Sequence, residues 1–170
     1  LVGSEMCIRD RGRAIQNLIN LPKDDKVMAY INTKDLKDEE YINSHFIVMC
    51  TKKGVIKKTS LEQYSRPRTN GINAITIREG DQLLEAKMTT GNSQIMMAVK
   101  SGKSIRFEEE KVRAMGRTAA GVRGIRLSDK NDEVVGMVCI DNLESSVLVV
   151  SENGYGKRSD VEDYSCLLYT

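Results

Sequence analysis

The sequence predicts an all-β fold, a propeller-like array of four-stranded blades. Three observations carry that expectation: a repeat of about 50 residues, glycines recurring at its turns, and short runs rich in β-branched residues where helical periodicity is lacking. The 170 residues are 40% hydrophobic and 29% charged, with 2 Pro and 13 Gly, a composition of globular rather than disordered chains. No apolar run approaches the ~20 residues of a membrane-spanning helix.

The repeat shows in FIVMCTKKGVIKKTSLEQY (46–64), IMMAVKSGKSIRFEEEKV (95–112) and VLVVSENGYGKRSDVEDY (147–164). Each reads as an apolar strand, a polar turn closing on glycine, a basic strand and a short acidic turn. The turn glycines Gly54, Gly102 and Gly154 are spaced by 48 and 52 residues, and a tight hairpin needs the positive φ that glycine supplies. A second element follows as RTNGINAITI (68–77) and RTAAGVRGIRL (117–127), whose Gly71 and Gly121 lie 50 apart, with RGRAIQNLINL (11–21) as an earlier copy. A third is the strand QLLEAKM (82–88), recurring as EVVGMVCI (133–140) and earlier as KVMAYI (26–31).

Helix is expected only as single turns, at Ser60-Leu61-Glu62-Gln63 and Ser159-Asp160-Val161-Glu162, which fit the S-x-x-Q/E capping pattern. The acidic, polar stretch 32–44 breaks the period and predicts an exposed loop. Blade-like repeats are assigned to about 11–64, 65–112 and 113–164. The flanks LVGSEMCIRD (1–10) and SCLLYT (165–170) carry no repeat element and resemble translated sequencing-adapter sequence, so they are read as non-native. The array would then begin and stop inside a longer one.

Catalytic and metal chemistries find little support. Cys7, Cys50, Cys139 and Cys166 never approach CxxC spacing, and with the single His45 they do not make an ordinary structural zinc site. Cys50 and Cys139 lie in apolar stretches and are expected as buried thiols in a reducing cytoplasm. SGKS (101–104) lacks the first glycine of a phosphate loop, since Met97 stands there, and GYG (154–156) has Ser159 in place of a third glycine. His45 reads as a strand-edge residue, the acidic run 108–110 as a solvated turn, and Met88, Met96, Met97 and Met137 as core.

Charge is distributed in blocks. The net +2 conceals +6 over residues 45–78 and +5 over 100–126, against −3 over 24–44 and −5 over 127–153. The basic strands carry Lys52, Lys53, Lys57 and Lys58, then Lys100, Lys103 and Arg106, then Lys157 and Arg158. At equivalent points of successive blades they should follow one rim as a cationic track, widened by Arg66, Arg68, Arg113, Arg117, Arg123 and Arg126. Such a track suits duplex DNA, which carries one charge per ~1.7 Å of axis and rewards counterion release without base contacts. Aromatic residues at 5% and no Trp argue against stacking on single strands.

The strings RGRAIQNLINL, VRAMGRTAAGVRGIRL (112–127) and NGYGKRSDVEDY (153–164) closely resemble, in order and spacing, the C-terminal domain of bacterial DNA gyrase A. The resemblance spans residues 11–164. It implies a six-bladed β-pinwheel, of which this chain holds about three blades, whose basic perimeter wraps duplex DNA. It further implies a cytoplasmic, nucleoid-associated protein with no membrane contact. Its partners would be the rest of gyrase A and gyrase B in an A2B2 holoenzyme that drives negative supercoiling. ATP and Mg would act elsewhere in that holoenzyme, leaving this chain with no cofactor, no metal and no catalytic residue. The family's Q-R-R-G-G-K-G type motif is absent from the chain. Two other readings stay open: the corresponding C-terminal domain of topoisomerase IV, and a propeller-like protein-interaction module.

Overall fold

The structure is a computed structural model and describes residues 25–68, 70–129 and 131–164. Three antiparallel hairpins organise it: β1 (Phe46–Thr51) with β2 (Val55–Ser60), β4 (Gln94–Val99) with β5 (Ser104–Glu108), and β8 (Ser146–Val150) with β9 (Gly156–Asp160). Each begins and ends alike. Leu61, Glu109 and Val161 donate their amides to the carbonyls of His45, Ser93 and Ser145, closing the hairpin mouth where a single 3-10 turn starts. At the opposite end Gly54, Gly102 and Gly154 have φ of 81, 85 and 83°, the left-handed turn conformation expected of them.

Two further strands are recruited from elsewhere in the chain. β3 (Leu83–Thr89) pairs with β1, and β7 (Val134–Ile140) pairs with β4, each ladder shifting register at equivalent points, Cys50/Thr51 and Ala98/Val99. β6 (Val122–Arg123) comes from the segment 117–127 and pairs with β2, so that sheet one runs β3-β1-β2-β6, while sheet two is β5-β4-β7 and sheet three is β8-β9. Among the described residues the three sheets hold four, three and two strands, where the sequence predicts about four per unit. Sheets draw strands from either side of 64/65 and 112/113, because β3 pairs back with β1, β7 with β4, and the segment 117–127 runs along the first hairpin and not the second, which it directly follows.

The central strands explain the apolar runs. Val48, Cys50 and Ile56 of sheet one and Ile95, Met97, Ile105 and Phe107 of sheet two form one core between the sheets. The opposite face of sheet one places Ile47 and Met49 against Leu61, Ala86 and Ile42, and that of sheet two packs Met96 and Ile140 on Val161. Strands buried on both faces lose the two-residue alternation of half-exposed ones.

Three local expectations change. Residues 32–44 are not all loop: α1 (Glu39–Ser44) is capped by Asp38, whose side chain accepts from the amides of Glu40 and Tyr41, and is anchored by buried Ile42. Ser60 makes no side-chain capping bond to its 3-10 turn, and the last turn has Asp160 rather than Ser159 at its N-cap, again without a side-chain bond. Residues 26–31 form no strand; Ala29 and Ile31 instead pack against the apolar face of sheet one. The assignments to 1–10, 11–21 and 165–170 fall outside the described residues.

Candidate nucleic-acid interface

The hairpin turns are built by a repeated device. Before β3, the carboxylate of Asp81 accepts the amide of Lys53 at 2.9 Å; before β7, that of Asp132 accepts the amide of Ser101 at 3.1 Å and its hydroxyl at 2.8 Å. Desolvation, the largest single effect, pushes the Asp132 carboxyl up, but the bonds from Ser101 and from the Glu133 and Ser128 amides together outweigh it and hold it below the usual carboxylate value. Each outer strand thus fixes the turn of the hairpin it flanks.

This bonding aligns the turns. The Val134 amide donates to the Lys52 carbonyl at 2.8 Å and the Lys100 amide to the Glu133 carbonyl at 2.9 Å, so turns one and two meet across the entry to β7. Lys100, Lys103 and Lys157 then line one groove between sheet two and the third hairpin. Lys53, Lys100, Lys103 and Lys157 are exposed and Lys52 is half-buried. Polar neighbours hold some of them loosely: Lys52 Nζ lies 3.6 Å from Glu133 Oε2, and Lys103 Nζ donates to Ser128 Oγ at 3.1 Å. Glu133 and Ser128 belong to the site and were not singled out in the sequence, where an acid beside a strand start gives no signal of its own.

A second cationic group forms elsewhere. Arg66, Arg68 and Arg117 line a cavity of about 870 Å³ together with Glu39 and Glu62, next to the 3-10 turn that ends the first hairpin. Arg113, Arg123 and Arg126 are exposed on the segment between β5 and β7, with Arg123 beside turn one opposite Val55, and Arg158 is exposed with its Nε donating to Ser146 Oγ at 2.6 Å. Arg66, Arg68 and Arg117 thus form a second group, at the mouth of the first hairpin and apart from the turn lysines.

Three residues assigned to the track do not face outward. Lys57, 0% exposed, donates from Nζ to the carbonyls of Ala74, at 2.7 Å, and Arg117. Burial, then the nearby Arg117 charge, lowers its amine below the usual lysine value. Lys58, 6% exposed, pairs with Glu109 Oε1 at 3.2 Å and lies 4.4 Å above the Phe46 ring. Arg106 is 8% exposed and donates from Nη1 to Gln94 Oε1 at 2.8 Å. Their strands are buried on both faces, so neither side of the pleat leads to water, and these cations tie the fold together.

The family model described as the DNA gyrase C-terminal domain, beta-propeller, matches residues 45–89, 93–141 and 145–167. The chain belongs to the DNA gyrase C-terminal domain family. Each matched unit opens at a hairpin mouth, at His45, Ser93 and Ser145, where the closing bonds repeat. The DNA gyrase A of Salmonella typhimurium is 42% identical over 154 residues, 91% of this chain and 17% of that protein. That of Staphylococcus epidermidis is 42% identical over 161 residues, 94% of the chain and 18% of the relative, so the chain spans under a fifth of either. A solved DNA gyrase A C-terminal domain superposes with a TM-score of 0.78 at 25% identity, over 93% of this chain and 50% of that one. A solved C-terminal domain of DNA topoisomerase IV gives 0.82 at 24% identity, over 92% and 47%, a likeness of fold alone. Among the described residues no helix is long and apolar enough to cross a membrane, and no cluster of His, Cys, Asp or Glu is arranged to hold a metal.

Proposed function

We propose that this chain binds duplex DNA without base preference and bends it, as part of the wrapping domain of DNA gyrase A. The observation that carries this reading is the alignment of the turn lysines, Lys52, Lys53, Lys100, Lys103 and Lys157, along bonded, repeating hairpins. Bending 20–30 base pairs by 40–90° costs ~1–6 kcal/mol, and many separate phosphate contacts at a repeating interval offset it. Repeated lysines supply such contacts and read no sequence. The exposed arginines Arg66, Arg68, Arg113, Arg123, Arg126 and Arg158 and the half-buried Arg117 extend the contact surface, whereas Lys57, Lys58 and Arg106 support it from inside.

In the whole enzyme, an A2B2 assembly of gyrase A and gyrase B in the bacterial cytoplasm at the nucleoid, the wrap presents a DNA segment for ATP-driven, Mg-dependent strand passage and negative supercoiling. This chain contributes binding and curvature to that type II topoisomerase and no bond-making step. Family membership and the 42% identity to DNA gyrase A support this assignment. Fluorescence anisotropy with short duplexes of unrelated sequence tests the reading. Similar affinities and a log K that falls linearly with log salt, by ~0.9 per neutralised phosphate, are expected. Affinity insensitive to salt rejects the reading and favours a protein-interaction module.

A further inference from the structure

One of the five turn lysines already holds an anion. Lys52 Nζ lies 3.6 Å from Glu133 Oε2, and the two side chains are 37% and 40% exposed, so the pair is open to exchange with solvent. Among the described residues, Lys53, Lys100, Lys103 and Lys157 are ion-paired with no carboxylate. Backbone bonds set the position of Glu133: its carbonyl accepts the Lys100 amide at 2.9 Å, and the next amide, that of Val134, donates to the Lys52 carbonyl at 2.8 Å. Residue 133 is thereby pinned where turns one and two meet, on the groove that Lys100, Lys103 and Lys157 line.

The fold does not require an acid there. One unit earlier the Lys52 amide donates to the Gln82 carbonyl at 2.9 Å, the bond that Lys100 makes to Glu133, so the repeat places an uncharged side chain of the same shape at the equivalent point. Asp81 and Asp132 differ from Glu133 in using their carboxylates to accept turn amides. The Glu133 carboxylate has Lys52 as its one partner among the described residues, and no turn amide depends on it.

We propose that Glu133 sets the strength of the turn track as a built-in substitute for a DNA phosphate. This rests on the duplex-DNA reading above and names the residue that moderates it. The carboxylate occupies Lys52 in the free chain, and a phosphate reaches that ammonium only by displacing it. An exposed pair is weak enough to yield. Once displaced, the carboxylate faces the phosphates and repels them, so contact where turns one and two meet is weaker than at Lys53 or Lys103.

Anisotropy titrations of the full chain with a short fluorescent duplex, at several salt concentrations, test this. Glu133→Gln should bind about two- to fivefold more tightly at low salt, the range of an exposed ion pair, with the gain shrinking as salt screens it. Lys52→Ala should weaken the Glu133→Gln chain more than it weakens the unaltered one. Glu110→Gln removes the same charge from an exposed position at the mouth of the second hairpin and should leave affinity nearly unchanged. No gain from Glu133→Gln, an equal gain from Glu110→Gln, or the same gain with Lys52 replaced overturns the inference. Binding that still weakens with salt then leaves the DNA reading standing, whereas salt-insensitive binding by the unaltered chain overturns both. Circular dichroism checks folding, and Glu133→Ala carries the same expectation should the glutamine variant misfold.

Discussion

Lys58 of β2 and Glu109 of the turn after β5 form a buried ion pair, 3.2 Å apart, that joins sheet one to sheet two. The carboxylate is otherwise satisfied: Oε1 accepts Thr89 Oγ1 at 2.7 Å and Oε2 accepts the Ser93 amide at 3.3 Å. The ring of Phe46 covers the ammonium. The pair therefore belongs to the joint between sheets.

Removing one partner leaves a buried charge uncompensated. Lys58→Ala should cost ~3–5 kcal/mol in urea unfolding. The repeat equivalents of Glu109 are the apolar Leu61 and Val161, so Lys58→Met combined with Glu109→Leu should recover most of that loss. Strict additivity of the two single costs would contradict the pairing.

Lys57 should behave as a structural residue too. Its amine serves two backbone carbonyls that no other described side chain reaches except Tyr64, whose hydroxyl donates to Ala74 at 3.1 Å. Lys57→Ala should cost ~2–4 kcal/mol, whereas Lys103→Ala should stay within about 0.5 kcal/mol. The lowered amine pKa means that the folded state releases its proton before the unfolded one. The Lys57 contribution to stability should therefore rise with pH between the lowered folded value and the ordinary 10.5, a slope that Lys57→Met removes.

Much of this fold is legible in residues 46–164, and what is not has identifiable causes. The turn glycines and hairpin strands repeat locally, so local pattern finds them. The fourth strand does not, because Val122 and Arg123 pair with Ile56 and Val55 more than 60 residues earlier. Burial of Lys57 and Lys58 is hidden by their charge, yet the repeat holds a clue: Lys57 occupies the place of buried Ile105. Glu109 at an otherwise apolar repeat position is the matching signal. Helix α1 escapes notice because its six residues carry too little periodicity, and its evidence is the Asp38 cap alone.

The Asp–turn device makes a pH prediction of the same sign at the acid end. The Asp132 carboxyl is held below its ordinary 3.8, so folding favours the ionised form. Its contribution should be complete above that value and be lost as pH falls through the lowered one. Asp132→Asn should flatten the acid limb of the stability profile. At the equivalent turn, Asp81→Ala should cost ~0.5–1.5 kcal/mol by releasing the Lys53 amide.

The two described cysteines should be inert. Burial pushes the Cys50 and Cys139 thiols up to about 12, with Asp81 adding to the effect at Cys50 and Glu109 at Cys139. Alkylation of the native chain at neutral pH, followed by peptide mass mapping, should leave both unmodified, and unfolding should expose them. Native-state labelling of Cys50, 0% exposed, would contradict its place in the core between the sheets.

The most direct test of the DNA reading is the salt dependence of duplex binding by two chains: the unaltered one, and one with Lys52, Lys53, Lys100, Lys103 and Lys157 replaced by Ala. These side chains are solvent-accessible, so the fold should survive. At ~0.9 per phosphate contact, losing five should flatten the slope of log K against log salt by about 4 to 5. An unchanged slope in a folded variant would contradict the claim that DNA lies along the hairpin turns.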